Sequence, residues 1–284
     1  MLGLRRNLGS ARRSVRAVSA RLLRRIRYGG RPADWPAVFG NSMAKAGSHL
    51  LAQYLEGLTR ISPLLFLEPS PLRTITAEGR HQTMEWVLRE LSRLRPGEIR
   101  WGYLPSRPEY VEGLLRGNRI VYFLYRDPRD KVVSHILYAL DIHKRHAMHG
   151  YYKDLPGMEE RIEATIRGVP GLVKDIRSSY ESYLAWLEQP AVLAVAYEDL
   201  MQNREAALRR MLAHLERAGV EFRVDLAQAL SILQAAMSPH RSPTYRAGSP
   251  GNWRSYFSEA NKRAFKDVAG DLLTRLGYEH GTDW

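Results

Sequence analysis

The chain has 284 residues, a length that suits one large α/β domain or two small ones. Its 44% hydrophobic content is sufficient for a buried core and excludes a chain that is disordered throughout. The formal net charge of +13 indicates an anionic partner. Because the chain has no cysteine, thiol nucleophiles, disulfides and thiolate metal sites are excluded. With no apolar run long enough to span a membrane, we predict a soluble, cytoplasmic protein.

The positive charge is concentrated at the amino-terminal end. Residues 1–31 hold ten arginines and no lysine or acidic residue, so the rest of the chain carries only +3 (13 minus 10). Apolar residues recur there at helical steps, which predicts a basic amphipathic helix ending at Gly29-Gly30. We therefore divide the chain into a basic helical extension, 1–34, and a domain, 35–284. A solvated arm, a peripheral membrane contact through 1–31, and a targeting or nucleic-acid arm remain open for the extension.

From Trp35 onward, short apolar runs alternate with segments of helical periodicity. This rhythm predicts an α/β fold in which a parallel sheet is flanked by helices. The stretch 143–171, rich in His, Tyr, Gly and Pro, is expected to be a loop or short-helix insertion near a site. We predict strands over 38–41, 120–125 and 191–196, a weaker strand over 99–104, and helices after the first two strands, over 203–218 and over 264–276.

A small-residue loop with a lysine, 42–49, follows the first predicted strand. N–H groups at a helix N-terminus converge on an oxyanion, and Lys45 adds a mobile positive charge for a phosphate or sulfate oxygen. Lys45 precedes Gly47 by two residues, whereas the lysine of an ATP-binding phosphate loop directly follows the glycine. The loop is therefore P-loop-like, with an ordinary strand-to-helix turn as the alternative for this motif alone.

Two further basic segments lie later in the chain. Arg126 follows the strand at 120–125, where its forked guanidinium suits a terminal phosphate, and Ser134 can turn its hydroxyl toward the same group. Residues 246–254 form a Gly-rich loop whose backbone can approach an anion closely, with Arg246 as the charge. The alternatives are a charge cluster at a helix start for the first segment and a plain connector for the second.

Together with Tyr197-Glu198-Asp199-Leu200, these three segments resemble those of sulfotransferases that use 3′-phosphoadenosine 5′-phosphosulfate (PAPS). The resemblance covers nearly all of residues 36–278. It implies a P-loop-like parallel sheet, PAPS as the donor and no metal. It also implies in-line transfer of a sulfuryl group to a hydroxyl of a small-molecule, lipid or glycan acceptor. A nucleic-acid partner is not expected, because the domain carries little net charge.

The resemblance also assigns roles by position. Lys45 matches the lysine that contacts the leaving phosphate, and Tyr197 matches an adenine-contacting tyrosine. The other residues predicted to bind the donor belong to the lysine loop (Ala46, Gly47, Ser48, His49), to the 3′-phosphate pair (Arg126, Ser134) and to the loop that completes the 3′-phosphate site (Arg246, Ala247, Gly248). Ala46 and Ala247 stand where the family usually has serine and lysine, so we expect a lower donor affinity.

The usual catalytic histidine of the family is missing. Many members place it in a Gly-His-Leu-Pro-like segment, whereas residues 102–105 read Gly-Tyr-Leu-Pro. We predict Tyr103 as the catalytic residue, either as base or as an acceptor-orienting hydroxyl, although a phenol with a pKa of about 10 is a poor base at neutral pH. The alternatives, from which the loop residue His49 is left out, are Glu78, His81, His135, His143, His146 and His149.

Two other classes of function fit parts of the pattern. A nucleotide kinase or related P-loop phosphotransferase would also bind phosphate, but the lysine spacing opposes it. A non-catalytic polyanion-binding protein would use the basic extension, but the remaining residues carry only +3. Neither the acceptor nor the oligomeric state can be predicted from the sequence.

Overall fold

One sheet of six strands, all paired in parallel, forms the centre of the computed structural model. The strand order is β2-β4-β1-β5-β6, and β3 pairs with the carboxyl end of β4. This topology confirms the predicted parallel sheet, and the weak strand candidate at 99–104 is β4, which lies directly beside β1. The strands are β1 (Ala37–Ser42), β2 (Phe66–Leu67), β3 (Leu72–Arg73), β4 (Glu98–Tyr103), β5 (Arg119–Tyr125) and β6 (Val192–Ala196).

The structure describes residues 35–68, 70–75, 80–241 and 249–284. The predicted extension 1–34, Glu78, and the predicted donor-binding residues Arg246, Ala247 and Gly248 lie outside these ranges. Among the residues described, none of the helices combines the length and the hydropathy that crossing a membrane requires.

Helices connect the strands and cover the sheet. A π-helical turn, Tyr138–Ile142, continues α4, and a 3-10 turn, Asn252–Ser255, precedes α11. The α-helices of the described residues are α1 (Ser48–Ile61), α2 (Met84–Ser92), α3 (Pro108–Leu115), α4 (Pro128–Leu137), α5 (Met148–Asp154), α6 (Met158–Arg167), α7 (Ile176–Leu184), α8 (Tyr197–Gln202), α9 (Arg204–Arg217), α10 (Leu226–Ala236), α11 (Glu259–Ala269) and α12 (Leu272–Arg275).

The core has one layer on each face of the sheet. On β5, Ile120, Tyr122 and Leu124 pack with residues of α1, α9 and α10, whereas Val121 and Phe123 pack with residues of α4, α7 and α11. A strand buried on both faces needs apolar side chains at every position, which explains why this strand shows no polar alternation.

Most predicted elements are present, and one predicted helix differs from the structure. The insertion at 143–171 contains α5 and α6, as expected for short helices. The closing helix predicted over 264–276 is wrong as a single helix, because α11 ends at Ala269 and α12 begins at Leu272. Gly270 and Asp271, both weak helix formers, lie at the break.

Candidate active site

The carboxyl ends of four neighbouring strands bring the predicted site residues to one edge of the sheet. β1 continues into the lysine loop and α1, and β4 ends at Tyr103. β5 ends directly before Arg126, and β6 continues without a loop into α8, whose first residue is Tyr197. Parallel α/β sheets bind ligands outside this edge, so the topology places the separate motifs where one ligand can reach them.

The lysine loop exposes the start of α1 to this edge. Gly47 is the N-cap of α1 with φ 93°, and no side chain of the described residues caps the helix there. A helix N-terminus without a side-chain cap is the arrangement that receives an anion. A Cβ atom at Gly47 would overlap with Cδ2 of Tyr197, so both the backbone angle and the space require glycine at this position.

Lys45 is half-buried beside an aromatic ring. Its Nζ lies 3.7 Å from the ring centroid of Tyr138, at the start of the π-helical turn. Burial, and to a lesser extent the charge of Arg126, lower the pKa of Lys45 to about 8. A bound anion would oppose both effects, so this lysine is suited to bind a phosphate or sulfate group.

Arg126 connects the first two motifs. Its Nη1 lies 3.5 Å from the carbonyl oxygen of Lys45, and its Cζ lies 4.4 Å from the ring centroid of Tyr197. Nη2 is 3.7 Å from Oδ2 of Asp130, while the buried Nε has no hydrogen-bond partner among the described residues. The side chain of Arg126 is 9% exposed and its guanidinium retains donor capacity, as an anion-binding arginine requires.

Asp130 joins the second motif to the third. Its Oδ2 accepts a hydrogen bond of 2.8 Å from the N–H of Gly251, and its Oδ1 accepts one of 2.8 Å from the N–H of Trp253. The described part of the Gly-rich loop is therefore attached beside Arg126. Burial raises the pKa of Asp130, an effect that Arg126 and these two N–H donors oppose.

Three other residues predicted to bind the donor are buried or half-buried in the structure. Ser134 lies half-buried on α4, about two turns after the helix N-cap Asp127. Ala46 is buried, and so is Tyr197, whose ring packs between Gly47 and Arg126. Their predicted contacts with the donor remain predictions.

Tyr103 is fixed next to the lysine loop. Its hydroxyl lies 2.7 Å from Oγ of Ser48, and either group can donate. The side chain of Asn41 exchanges two hydrogen bonds of 2.8 and 2.9 Å with the backbone of Leu104, which ties the end of β1 to the end of β4. Burial raises the pKa of Tyr103, so at neutral pH this phenol is ionised even less than a solvent-exposed tyrosine and provides less of the phenolate that would act as a base. No pattern in the sequence indicates this role of Asn41.

His49 lies in the same group of side chains. Its ring is 6.4 Å from the ring of Trp101, which in turn is 5.8 Å from the ring of Tyr103. Burial, and then the charges of Lys45 and Arg73, lower the pKa of His49 and keep its ring neutral at neutral pH. His49 was not among the bases predicted from the sequence, because it belongs to the lysine loop.

Three of the other candidate histidines lie together beside Tyr138. The ring of His146 is 4.9 Å from that of His135 and 5.8 Å from that of His143. Burial, with smaller contributions from His146 and nearby lysines, lowers the pKa of His135 to about 3. Nδ1 of His149 lies 2.9 Å from the carbonyl oxygen of Ala139, so this ring is hydrogen-bonded to the backbone of the π-helical turn.

His81 is exposed and pairs through its backbone with Ile75.

In the part of the chain that the structure describes, no group of three or more His, Cys, Asp or Glu residues could hold a metal ion.

The fold is similar to those of solved sulfotransferase structures. The mouse sulfotransferase SULT7A1 complexed with PAP (adenosine 3′,5′-bisphosphate) is 19% identical, with 86% of each chain covered and a TM-score of 0.54. Retinol dehydratase in complex with androsterone and the inactive cofactor PAP is 17% identical, with 86% of this chain and 81% of that chain covered and a TM-score of 0.52.

No curated protein matches the sequence. The family model for the sulfotransferase domain matches residues 110–277, which is more than half of the chain and includes Arg126, Asp130 and Tyr197. The chain therefore belongs to the sulfotransferase family, which confirms the family, the fold and the class of enzyme predicted from its motifs.

Proposed function

We propose that this sulfotransferase moves a sulfuryl group from PAPS to an acceptor hydroxyl by in-line displacement. PAPS carries an anionic phosphosulfate at its 5′ end and a phosphate at its 3′ end, so it requires two cationic subsites at a fixed separation. The observation that carries the proposal is the contact of 3.5 Å between Arg126 and the backbone of Lys45. Lys45 and the N-terminus of α1 form the first subsite, and Arg126 forms the second with Ser134 and residues 246–248.

The chemistry needs positive charge where the leaving group develops negative charge. The acceptor oxygen attacks sulfur, the bond between sulfur and the 5′-phosphate oxygen breaks, and PAP leaves. Lys45 and the first N–H groups of α1 stabilise the charge on that oxygen. Removing one such oriented donor costs about 3 kcal/mol of transition-state stabilisation, or roughly a hundredfold in turnover.

The proton of the acceptor hydroxyl requires a base, and the structure favours His49 over Tyr103. The raised pKa of Tyr103 opposes proton abstraction, whereas its hydrogen bond with Ser48 suits an acceptor-orienting hydroxyl. The lowered pKa of His49 supplies a neutral imidazole in the same group of side chains. We therefore assign orientation of the acceptor to Tyr103 and removal of its proton to His49.

The organisation of the chain completes the proposal. We propose that residues 35–284 form the catalytic domain and that residues 1–34, with ten arginines and no acidic residue in 1–31, contact anionic membrane lipid peripherally. The rings of Tyr138 and Tyr103 lie close to Lys45 and to Ser48, so an acceptor reaching the donor sulfur passes aromatic surface. This surface favours a small-molecule or lipid hydroxyl over a glycan.

Incubation with PAPS and a panel of phenols, sterols, long-chain alcohols and sugars, with EDTA present, tests the proposal. Mass spectrometry is expected to find one sulfated acceptor for each PAP formed. The Lys45→Met variant is expected to lose this activity, whereas Lys131→Met is expected to keep it. Absence of both transfer and PAP binding would contradict the proposal, as would phosphoryl transfer from ATP that EDTA stops.

A further inference from the structure

Residues 278–284, which we name the closing segment, lie against the start of α4. The hydroxyl of Tyr278 donates a hydrogen bond of 2.7 Å to Oε2 of Glu198. The other carboxylate oxygen of Glu198 accepts a hydrogen bond of 3.1 Å from the N–H of Asp127, the N-cap of α4. The segment is thereby connected to the residue that directly follows Arg126.

A buried arginine makes the second connection. The side chain of Arg129 is 2% exposed and forms ion pairs of 2.7 Å with Asp127 and 2.6 Å with Glu279 of the closing segment. Its Cζ lies 4.0 Å from the ring centroid of Trp253 and 4.6 Å from that of Trp284. A buried charge is tolerated only when it is fully paired, so Glu279 and the two indole rings determine where Arg129 lies.

These contacts converge on the groups that surround Arg126. The rings of Trp284 and Trp253 meet edge to face, with centroids 5.7 Å apart. The backbone N–H of Trp253 donates a hydrogen bond to Oδ1 of Asp130. The other carboxylate oxygen of Asp130, Oδ2, lies 3.7 Å from Nη2 of Arg126. Movement of the closing segment would therefore displace Asp127, Trp253 and, through them, Arg126.

The lysine loop has contacts of its own besides the hydrogen bond of 3.5 Å from Arg126 to the carbonyl oxygen of Lys45. Ser48 is fixed by Tyr103, and Gly47 packs on Tyr197, which belongs to α8. The closing segment contacts α4, α8 and the turn at Trp253. Within the donor site, these contacts lie closer to Arg126 than to the lysine loop.

We propose that the closing segment is a positioning element for the 3′-phosphate subsite of the donor. Glu279 and Trp284 do not touch the nucleotide; they hold Arg129 and Trp253, which fix Asp130 and Arg126. This inference rests on the proposed function, because it requires Arg126 to bind the 3′-phosphate. It predicts that damage to the segment weakens recognition of that phosphate and leaves recognition of the 5′-phosphate unchanged.

Titration with two nucleotides tests this selectivity without knowledge of the acceptor. PAP carries both phosphates, whereas adenosine 5′-phosphate lacks the 3′-phosphate. By analogy with residues that orient metal ligands, we expect Glu279→Gln and Trp284→Ala to weaken PAP binding about tenfold or more. Affinity for adenosine 5′-phosphate is expected to stay within about twofold, because the lysine loop is unchanged.

Two controls separate positioning from general damage. Trp284→Phe keeps an aromatic ring over Arg129 and is expected to restore most PAP affinity. Glu163→Gln removes an exposed ion pair with Arg167 and is expected to change neither affinity. If Trp284→Ala fails to fold, as judged by circular dichroism, the milder Glu279→Gln decides the question.

The outcomes distinguish this proposal from the one on which it rests. Equal losses of affinity for both nucleotides in the variants, or no loss for either, would overturn the positioning role. If the wild type still binds PAP, the proposed function stands in that case. A folded wild-type protein that binds no PAP would overturn both. A loss of the preference for PAP over adenosine 5′-phosphate in Glu279→Gln, with an unchanged melting temperature, is the result that supports the inference.

Discussion

The affinity for PAP is expected to fall as the pH rises through 8, because Lys45 binds the donor only when it is protonated. Burial and the charge of Arg126 lower the pKa of Lys45 to about 8 in the free protein. A bound phosphate raises that pKa, so binding takes up a proton at pH values above 8. With a free pKa of about 8, the protonated fraction falls about tenfold from pH 7 to pH 9, which corresponds to about 1.4 kcal/mol of binding free energy.

Isothermal titration calorimetry at pH 7, 8 and 9 measures this dependence. The phosphates of PAP are almost fully ionised over this range, so the slope reports on the protein. Titrations in buffers of different ionisation heat are expected to show uptake of about half a proton at pH 8. Lys45→Met should bind PAP weakly and without this slope.

Lys131 provides a matched control. Burial lowers its pKa to about 8 as well, but its Nζ donates to Oγ of Ser179 and has no part in the proposed donor site. Lys131→Met should therefore keep the slope. A flat pH profile in the wild type, or a slope that survives Lys45→Met, would refute this account of the lysine.

Three further predictions concern the surroundings of the donor and of the acceptor. Gly47→Ala should cost about 1–3 kcal/mol in urea denaturation, because of the positive φ and the collision with Tyr197; unchanged stability would contradict this account of the turn. Asp130→Asn should weaken PAP binding in calorimetry by about tenfold, because the amide cannot accept from both Gly251 and Trp253. His49→Gln should lower turnover at least tenfold and remove the acidic limb of the pH–rate profile. An unchanged profile would show that His49 is not the base.

The sequence was sufficient to predict the parts of the site that are local in the chain. The lysine loop and Arg126 each follow a buried strand, and parallel strands bring their carboxyl ends to the same edge. The proximity of the lysine loop and Arg126 could therefore be predicted from the sequence alone. The helices α2, α7 and α10 were missed, although each begins with a side-chain cap, at Thr83, Asp175 and Asp225.

Contacts between distant residues could not be predicted in the same way. The pairing of Asp130 with Gly251 and that of Asn41 with Leu104 depend on how loops from different strands meet. Such contacts have no periodic signal in the sequence. The sequence shows Tyr103 where the resemblance implies a catalytic histidine. The proximity of His49 to Trp101 and Tyr103 was not predictable, because it depends on how the start of α1 meets the end of β4.

Calorimetric titration of the wild-type chain with PAP at pH 7 tests the central claim most directly. The claim is that the lysine loop and Arg126 form one site for a nucleotide with phosphates at both its 5′ and 3′ positions. The account predicts saturable binding to one site, unaffected by EDTA and tighter than binding of adenosine 5′-phosphate. Absence of binding by the folded protein, or equal affinity for the two nucleotides, would contradict it.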